Sequence, residues 1–88
     1  MKTASETLPI IADIIRETAA SGPVEIGRGT TAAQVRGWDS LSHTMILVNI
    51  EERFGVRLPI ERVMELASVG ELVDLVVEVA GKEDSGRA

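Results

Sequence analysis

Three residues of this 88-residue chain have the types and the closeness that nucleophilic chemistry needs: Asp39, Ser40 and His43. A serine hydroxyl beside an imidazole and a carboxylate is the set by which hydrolases form acyl intermediates. The spacing speaks against that use. At about 100° per residue, His43 falls in the apolar stripe of the helix it helps to open, as a core or boundary residue. At a helix N-terminus the dipole also disfavours the imidazolium that a general base must become. No segment supplies an oxyanion hole, and a chain this short builds a modest core without a deep substrate cavity. No catalytic residue is expected. Nor is a metal site, because one histidine without cysteine leaves only scattered carboxylates as ligands. No glycine-rich loop runs into Lys and Ser or Thr, so a nucleotide phosphate has no cradle.

What remains is Ser40, either as an acceptor of covalent modification or as a helix cap. At a helix start behind a long loop its hydroxyl is exposed, where backbone N–H groups and the dipole favour a phosphate. Asp39 beside it would draw a cation or a basic enzyme surface. Serine is equally a favoured N-cap, worth about 1 kcal/mol, and a cap needs no further purpose. The residues alone leave both readings open.

The elements that must hold this junction are legible from periodicity. Leu8, Ile11, Ala12, Ile15 and Ala19 share one face of a first helix spanning residues 8–19, with Asp13, Arg16 and Glu17 opposite. Ser5 or Thr7 is the expected cap, with Pro9 in the first turn, where a missing N–H costs nothing. Ser21-Gly22-Pro23 ends that helix. Residues 21–38 then form a connection far longer than the usual two to eight residues of small bundles. Val24, Ile26, Ala32, Val35 and Trp38 are its expected tethers, with a short helical turn at 32–35 behind Thr30 or Thr31. Trp38 is expected to cover the core beside Ser40.

The second helix, residues 41–54, is apolar on two sides. Ile46, Leu47, Ile50 and Phe54 make a core stripe with His43 among them, while Leu41, Met45 and Val48 gather opposite, near Glu51 and Glu52. So small a protein is expected to leave one face uncovered, and the second has an apolar centre, a charged edge and an adaptable methionine, as docking surfaces do; burial of both stripes by the first helix and the long loop is the alternative. Gly55 stops this helix. A short helix runs from Pro59 to Ala67 with Ile60, Val63, Met64 and Leu66 as apolar members. Ser68 to Glu71 reads as a capping box for a last helix carrying Leu72, Val73, Leu75, Val76 and Val79. Gly81 is the expected stop, with a polar tail at 82–88. The fold class is therefore all-α: a small four-helix bundle, three main helices and one short, with a long first loop. One domain spans residues 1–88, its core at about 5–81.

Charge sharpens the second half. The net charge is −5, and residues 39–79 hold eight acids against three bases while the flanks balance. That half repels nucleic acid and suits a basic partner, though such a face also serves solubility alone. The absence of cysteine, of a secretion signal and of a membrane-length apolar run leads us to expect a soluble cytoplasmic monomer.

Gly37-Trp38-Asp39-Ser40-Leu41-Ser42-His43, with the helix end Ile50-Glu51-Glu52-Arg53-Phe54-Gly55-Val56, Pro59 and Ser68-Val69, resembles the phosphopantetheine attachment region of acyl carrier proteins. The resemblance runs from the first helix to Ala80. It implies that Ser40 carries 4′-phosphopantetheine, installed from coenzyme A by a phosphopantetheinyl transferase for which Asp39 is part of the recognition motif. The terminal thiol of that arm would hold an acyl or aminoacyl group as a thioester, supplying the sulfur that this cysteine-free chain lacks. It also implies docking of partner enzymes on the second helix, at Leu41, Met45, Val48, Glu51 and Glu52. Those partners would be the enzyme that loads the acyl or aminoacyl group and the synthase or transferase enzymes downstream. Carriers of fatty acid synthesis place acids just after the serine and one turn further on, where this chain has Ser42 and Met45, and often another acid at the position of Arg53. With Trp38 before the Asp-Ser pair and His43 after it, the chain looks more like stand-alone carriers of polyketide, nonribosomal peptide or other specialised pathways. An unmodified helical interaction module, with Ser40 only a cap, is the alternative.

Overall fold

Thr3 sets where the first helix begins. Its hydroxyl accepts the Glu6 N–H at 3.2 Å while the Glu6 carboxylate accepts the Thr3 N–H at 3.0 Å, a reciprocal box that starts α1 at Ala4–Ala19. In this computed structural model, which describes residues 3–85 with side chains for 3–81, the order is α1, α2 (Ser40–Phe54), α3 (Ile60–Val63) and α4 (Val69–Ser85). A 3-10 turn at Ala32–Gln34 interrupts the long first connection, and no strand is present among the described residues. The all-α, four-helix expectation holds.

Several boundaries differ from the sequence expectation. Neither Ser5 nor Thr7 caps α1, since Thr3 does so four residues earlier than periodicity shows; Thr7 is instead buried inside the helix. Pro9 therefore lies in the second turn, not the first. The N–H it lacks would have met the carbonyl of Ser5, an exposed residue. At the far end, Gly81 does not stop α4, which continues to Ser85, so the polar tail expected from residue 82 is helical as far as that residue; residues 86–88 lie outside those described.

α1 packs against both α2 and α4. The shared core is Ile11, Ile14 and Ile15 from α1, Ile46 and Ile50 from α2, and Val69, Leu72, Val73 and Val76 from α4. α4 is helical despite its valines because Ser68 caps it: the Ser68 hydroxyl accepts the Glu71 N–H at 3.3 Å. The Glu71 carboxylate reaches back to the Ala67 N–H at 3.4 Å rather than to that of Ser68, so the reciprocal half of the expected box falls one residue early.

The long connection is stitched down at intervals. Arg16 Nε donates to the carbonyl of Val24 at 2.6 Å, and Ile26 and Val35 are buried in the core. Val24 and Trp38 pack against it partly buried, while Ala32, expected among the tethers, is exposed. The Val69 and Gly70 N–H groups donate to the Thr30 and Arg28 carbonyls, both at 2.8 Å. The Arg28 guanidinium then pairs with both carboxylate oxygens of Asp74, at 3.1 and 2.7 Å. Gly37 closes the segment with φ at +85°, so near the end of α1 that a Cβ would collide with the carbonyl oxygen of Ala19. Trp38, Asp39 and Ser40 leave from that anchored point.

Candidate functional site

Asp39, not Ser40, is the cap of α2. Its backbone is extended, and its Oδ1 accepts the Ser42 N–H at 2.9 Å. Its carbonyl accepts the His43 N–H at 2.8 Å. The Ser42 N–H and hydroxyl, with lesser help from the backbone at Asp39 and Leu41, hold the Asp39 carboxyl below the usual carboxylate range. Ser40 is thereby the first helical residue, exposed, and among the described residues its hydroxyl has no hydrogen-bond partner. Only its carbonyl is engaged, by the Thr44 hydroxyl at 3.2 Å. The capping role that the residue type left open for Ser40 thus falls to Asp39.

The hydrolase constellation does not form. The Asp39 carboxylate is spent on Ser42, and His43 Nδ1 accepts the indole N–H of Trp38 at 3.0 Å. The two rings lie 5.9 Å apart between centroids and 24° from parallel, both half-buried. Trp38 packs on the core beside Ser40, and His43 stands at the edge of the core stripe. Ala32, Trp38, Asp39, Ser40, His43 and Thr44 line a shallow open groove, and Trp38 and His43 also border a smaller cleft of about 70 Å³ walled by Leu66, Ala67, Ser68 and Leu72. Among the described residues no cluster of three metal-ligating side chains occurs.

Of the residues read as a docking face, Leu41 is 71% exposed, Met45 50% and Val48 44%, with exposed Glu52 on the same stripe. Glu51 stands apart. It is half-buried, and its Oε2 accepts the Leu58 N–H at 2.8 Å, bracing the segment that leads to α3. Of the apolar members of the short helix, Ile60 and Met64 are 70% and 81% exposed, while Val63 is buried. α3 is a single turn, and Val63 is its buried residue. The contributions of Gly37, Gly70 and the Arg28–Asp74 pair were missed; all are contacts between segments distant in the chain, with no local signature.

Residues 10–76 match the family described as the phosphopantetheine attachment site. An acyl carrier protein of Renibacterium salmoninarum is 34% identical over 76 residues, spanning 86% of this chain and 94% of that relative. One from an Arthrobacter species is 37% identical over 78 residues, with the same shares. The solution structure of a holo acyl carrier protein from Geobacter metallireducens matches with a TM-score of 0.81 at 28% identity, covering 90% of this chain and 91% of that one. Fold and site together define a small helical carrier, not a catalyst. The chain belongs to the acyl carrier proteins, whose prosthetic group is 4′-phosphopantetheine.

Proposed function

We propose that Ser40 is the attachment residue and that the arm's thiol holds an acyl or aminoacyl group as a thioester for presentation to partner enzymes. The observation that carries this reading is the division of labour at the helix start: Asp39 satisfies the Ser42 N–H, leaving the Ser40 hydroxyl exposed and unengaged. The residues fit the group, since a primary hydroxyl in an open groove at a helix N-terminus accepts a phosphodiester without burying its charge. In the loading step Ser40 Oγ bonds to the pantetheine-bearing phosphorus of coenzyme A. The pyrophosphate P–O bond breaks, the adenosine bisphosphate half leaves, and the hydroxyl proton passes to a base on the transferase.

Leu41, Met45, Val48 and Glu52 form the docking stripe for the transferase, for the acyl- or aminoacyl-loading enzyme and for downstream synthases or transferases, with Glu51 at its edge. Its apolar centre, with Ser42 and Met45 rather than acids beside the serine, supports a pathway of polyketide, nonribosomal peptide or other specialised biosynthesis. A carrier thiol has to stay reduced, which suits the cytoplasm; we read the chain as a monomer with one domain over residues 1–88. Among the described residues no helix is long and apolar enough to cross a membrane.

Intact-protein and peptide mass spectrometry after incubation with a broad-specificity phosphopantetheinyl transferase and coenzyme A tests the attachment. One phosphopantetheine increment on the Ser40 peptide, absent in Ser40→Ala, is expected; an increment that survives this substitution refutes the assignment.

A further inference from the structure

The Trp38–His43 pair does more than hold the helix start. An indole N–H only donates, so the His43 Nδ1 that receives it at 3.0 Å carries no proton, and the neutral ring bears its proton on Nε2. That N–H is unspent. Among the described residues nothing accepts from it, and no buried side-chain nitrogen or oxygen lacks a partner, so Nε2 opens to solvent. Both residues line the same groove as Ser40.

Reach decides what they can hold. Side chains three residues apart on a helix have Cβ atoms about 5–6 Å from one another. From a phosphate on Ser40 Oγ, that distance covers the near part of a pantetheine arm: the branched segment with its two methyl groups, and the first amide. The thiol lies well beyond. The chemistry also matches, with methyl groups for an indole face and an amide carbonyl for an imidazole N–H.

Resting on the assignment of Ser40 as the attachment point, we propose that Trp38 and His43 form a platform for the near half of the arm. The methyl pair packs on the Trp38 ring, and the first amide carbonyl accepts from His43 Nε2–H. Trp38 is also a positioning residue, since its N–H fixes which imidazole nitrogen carries the proton. On the helical wheel His43 lies nearly opposite the stripe of Leu41, Met45 and Val48. A docked arm thus runs toward the cleft walled by Leu66, Ala67, Ser68 and Leu72 and leaves the docking stripe uncovered. Arm and partner then occupy different faces of α2 at the same time.

The test is NMR on the full-length holo chain, its single arm installed from coenzyme A labelled in pantetheine and verified by intact mass. Imidazole nitrogen shifts should report the Nε2–H form before and after loading. Nuclear Overhauser contacts should join the pantetheine methyls to the Trp38 ring, and the first amide should show an order parameter above about 0.6. Trp38→Phe keeps a ring but removes the N–H, and should mix the imidazole tautomers and lower the amide order. His43→Phe should lower it with the methyl contacts retained. Loaded wild-type protein with no methyl–Trp38 contact, or with amide order as low as in a free chain, overturns the platform while leaving attachment intact. Absence of the mass increment overturns attachment and the platform with it. The wild-type measurement decides the matter even if a variant fails to fold.

Discussion

Asp39 Oδ1 accepts the backbone N–H of Ser42 at 2.9 Å, and this one bond relieves Ser40, the next residue along the chain, of capping α2. A serine that capped its own helix would have its oxygen held by a backbone N–H two or three residues on, and its lone pairs would be partly spent. With the aspartate one position earlier, the Ser40 hydroxyl stands at the first helical residue with no backbone N–H holding it.

Substitution at the two positions should therefore separate fold from function. Ser40→Ala should abolish phosphopantetheine loading yet change unfolding stability by no more than about 0.5 kcal/mol, as for a surface residue without a structural partner. Asp39→Ala should lower the melting temperature, whereas Asp39→Asn, which can still accept from the Ser42 N–H, should lower it much less. Both Asp39 variants should load slowly if the charge serves transferase recognition. Thermal unfolding and timed mass spectrometry on the same samples check all three.

The cap should also show in acid. The folded Asp39 carboxyl is held below its unfolded value, so its contribution to stability is complete above the unfolded value of about 3.9 and is lost as pH falls through the lower folded value. A carboxyl-carbon NMR titration should place the Asp39 midpoint below the usual carboxylate range. The Ser42 amide signal should move with the same midpoint, and a Ser42 shift that follows some other group would count against the cap.

Gly37→Ala should be costly for two reasons that act together. The left-handed φ strains any side chain, and the new Cβ meets the backbone carbonyl of Ala19, which cannot rotate away. A loss of about 1–3 kcal/mol is expected in denaturant unfolding. Loading should slow as well, because the residues that follow carry the cap and the serine. Gly27→Ala, where nothing lies within contact distance and φ is ordinary, is the control and should be nearly silent.

The two faces of α2 make opposite predictions. Met45→Glu should leave circular dichroism and melting temperature near wild type while altering loading by a cognate partner. Ile46→Ala, at a fully buried position, should cost about 2–5 kcal/mol. Of the neighbouring acids, Glu51→Ala should lose about 1 kcal/mol with the Leu58 contact, and Glu52→Ala should affect only partner binding. Unfolding of Met45→Glu would mean that this stripe is part of the core.

What could be read without the structure was whatever depends on neighbours in the chain. The apolar stripes of α1, α2 and α4, the stop at Gly55 and the position of Ser40 at a helix start follow from 3.6-residue periodicity and capping chemistry, which act over a few residues. Even there the boundaries slipped. Thr3 lies outside the apolar period that marked α1, and four helix-compatible residues carry α4 past Gly81. Asp39 and Ser40 are both good caps, and one-dimensional reasoning had no means to choose between them.

The tertiary structure settled what depends on how far-apart segments meet. Only packing decides that α1 covers the Ile46–Ile50 side of α2 and leaves Leu41, Met45 and Val48 outside, or that a one-turn α3 exposes Ile60 and Met64 to bury Val63. The approach of Gly37 to Ala19, the Arg28–Asp74 pair that ties the loop to α4, and the meeting of Trp38 and His43 with Leu66 and Leu72 around one cleft have the same origin. Each is an encounter in space between groups whose sequence separation carries no periodic signal, so the amino-acid order supplied the chemistry at Ser40 while the fold determined what surrounds it.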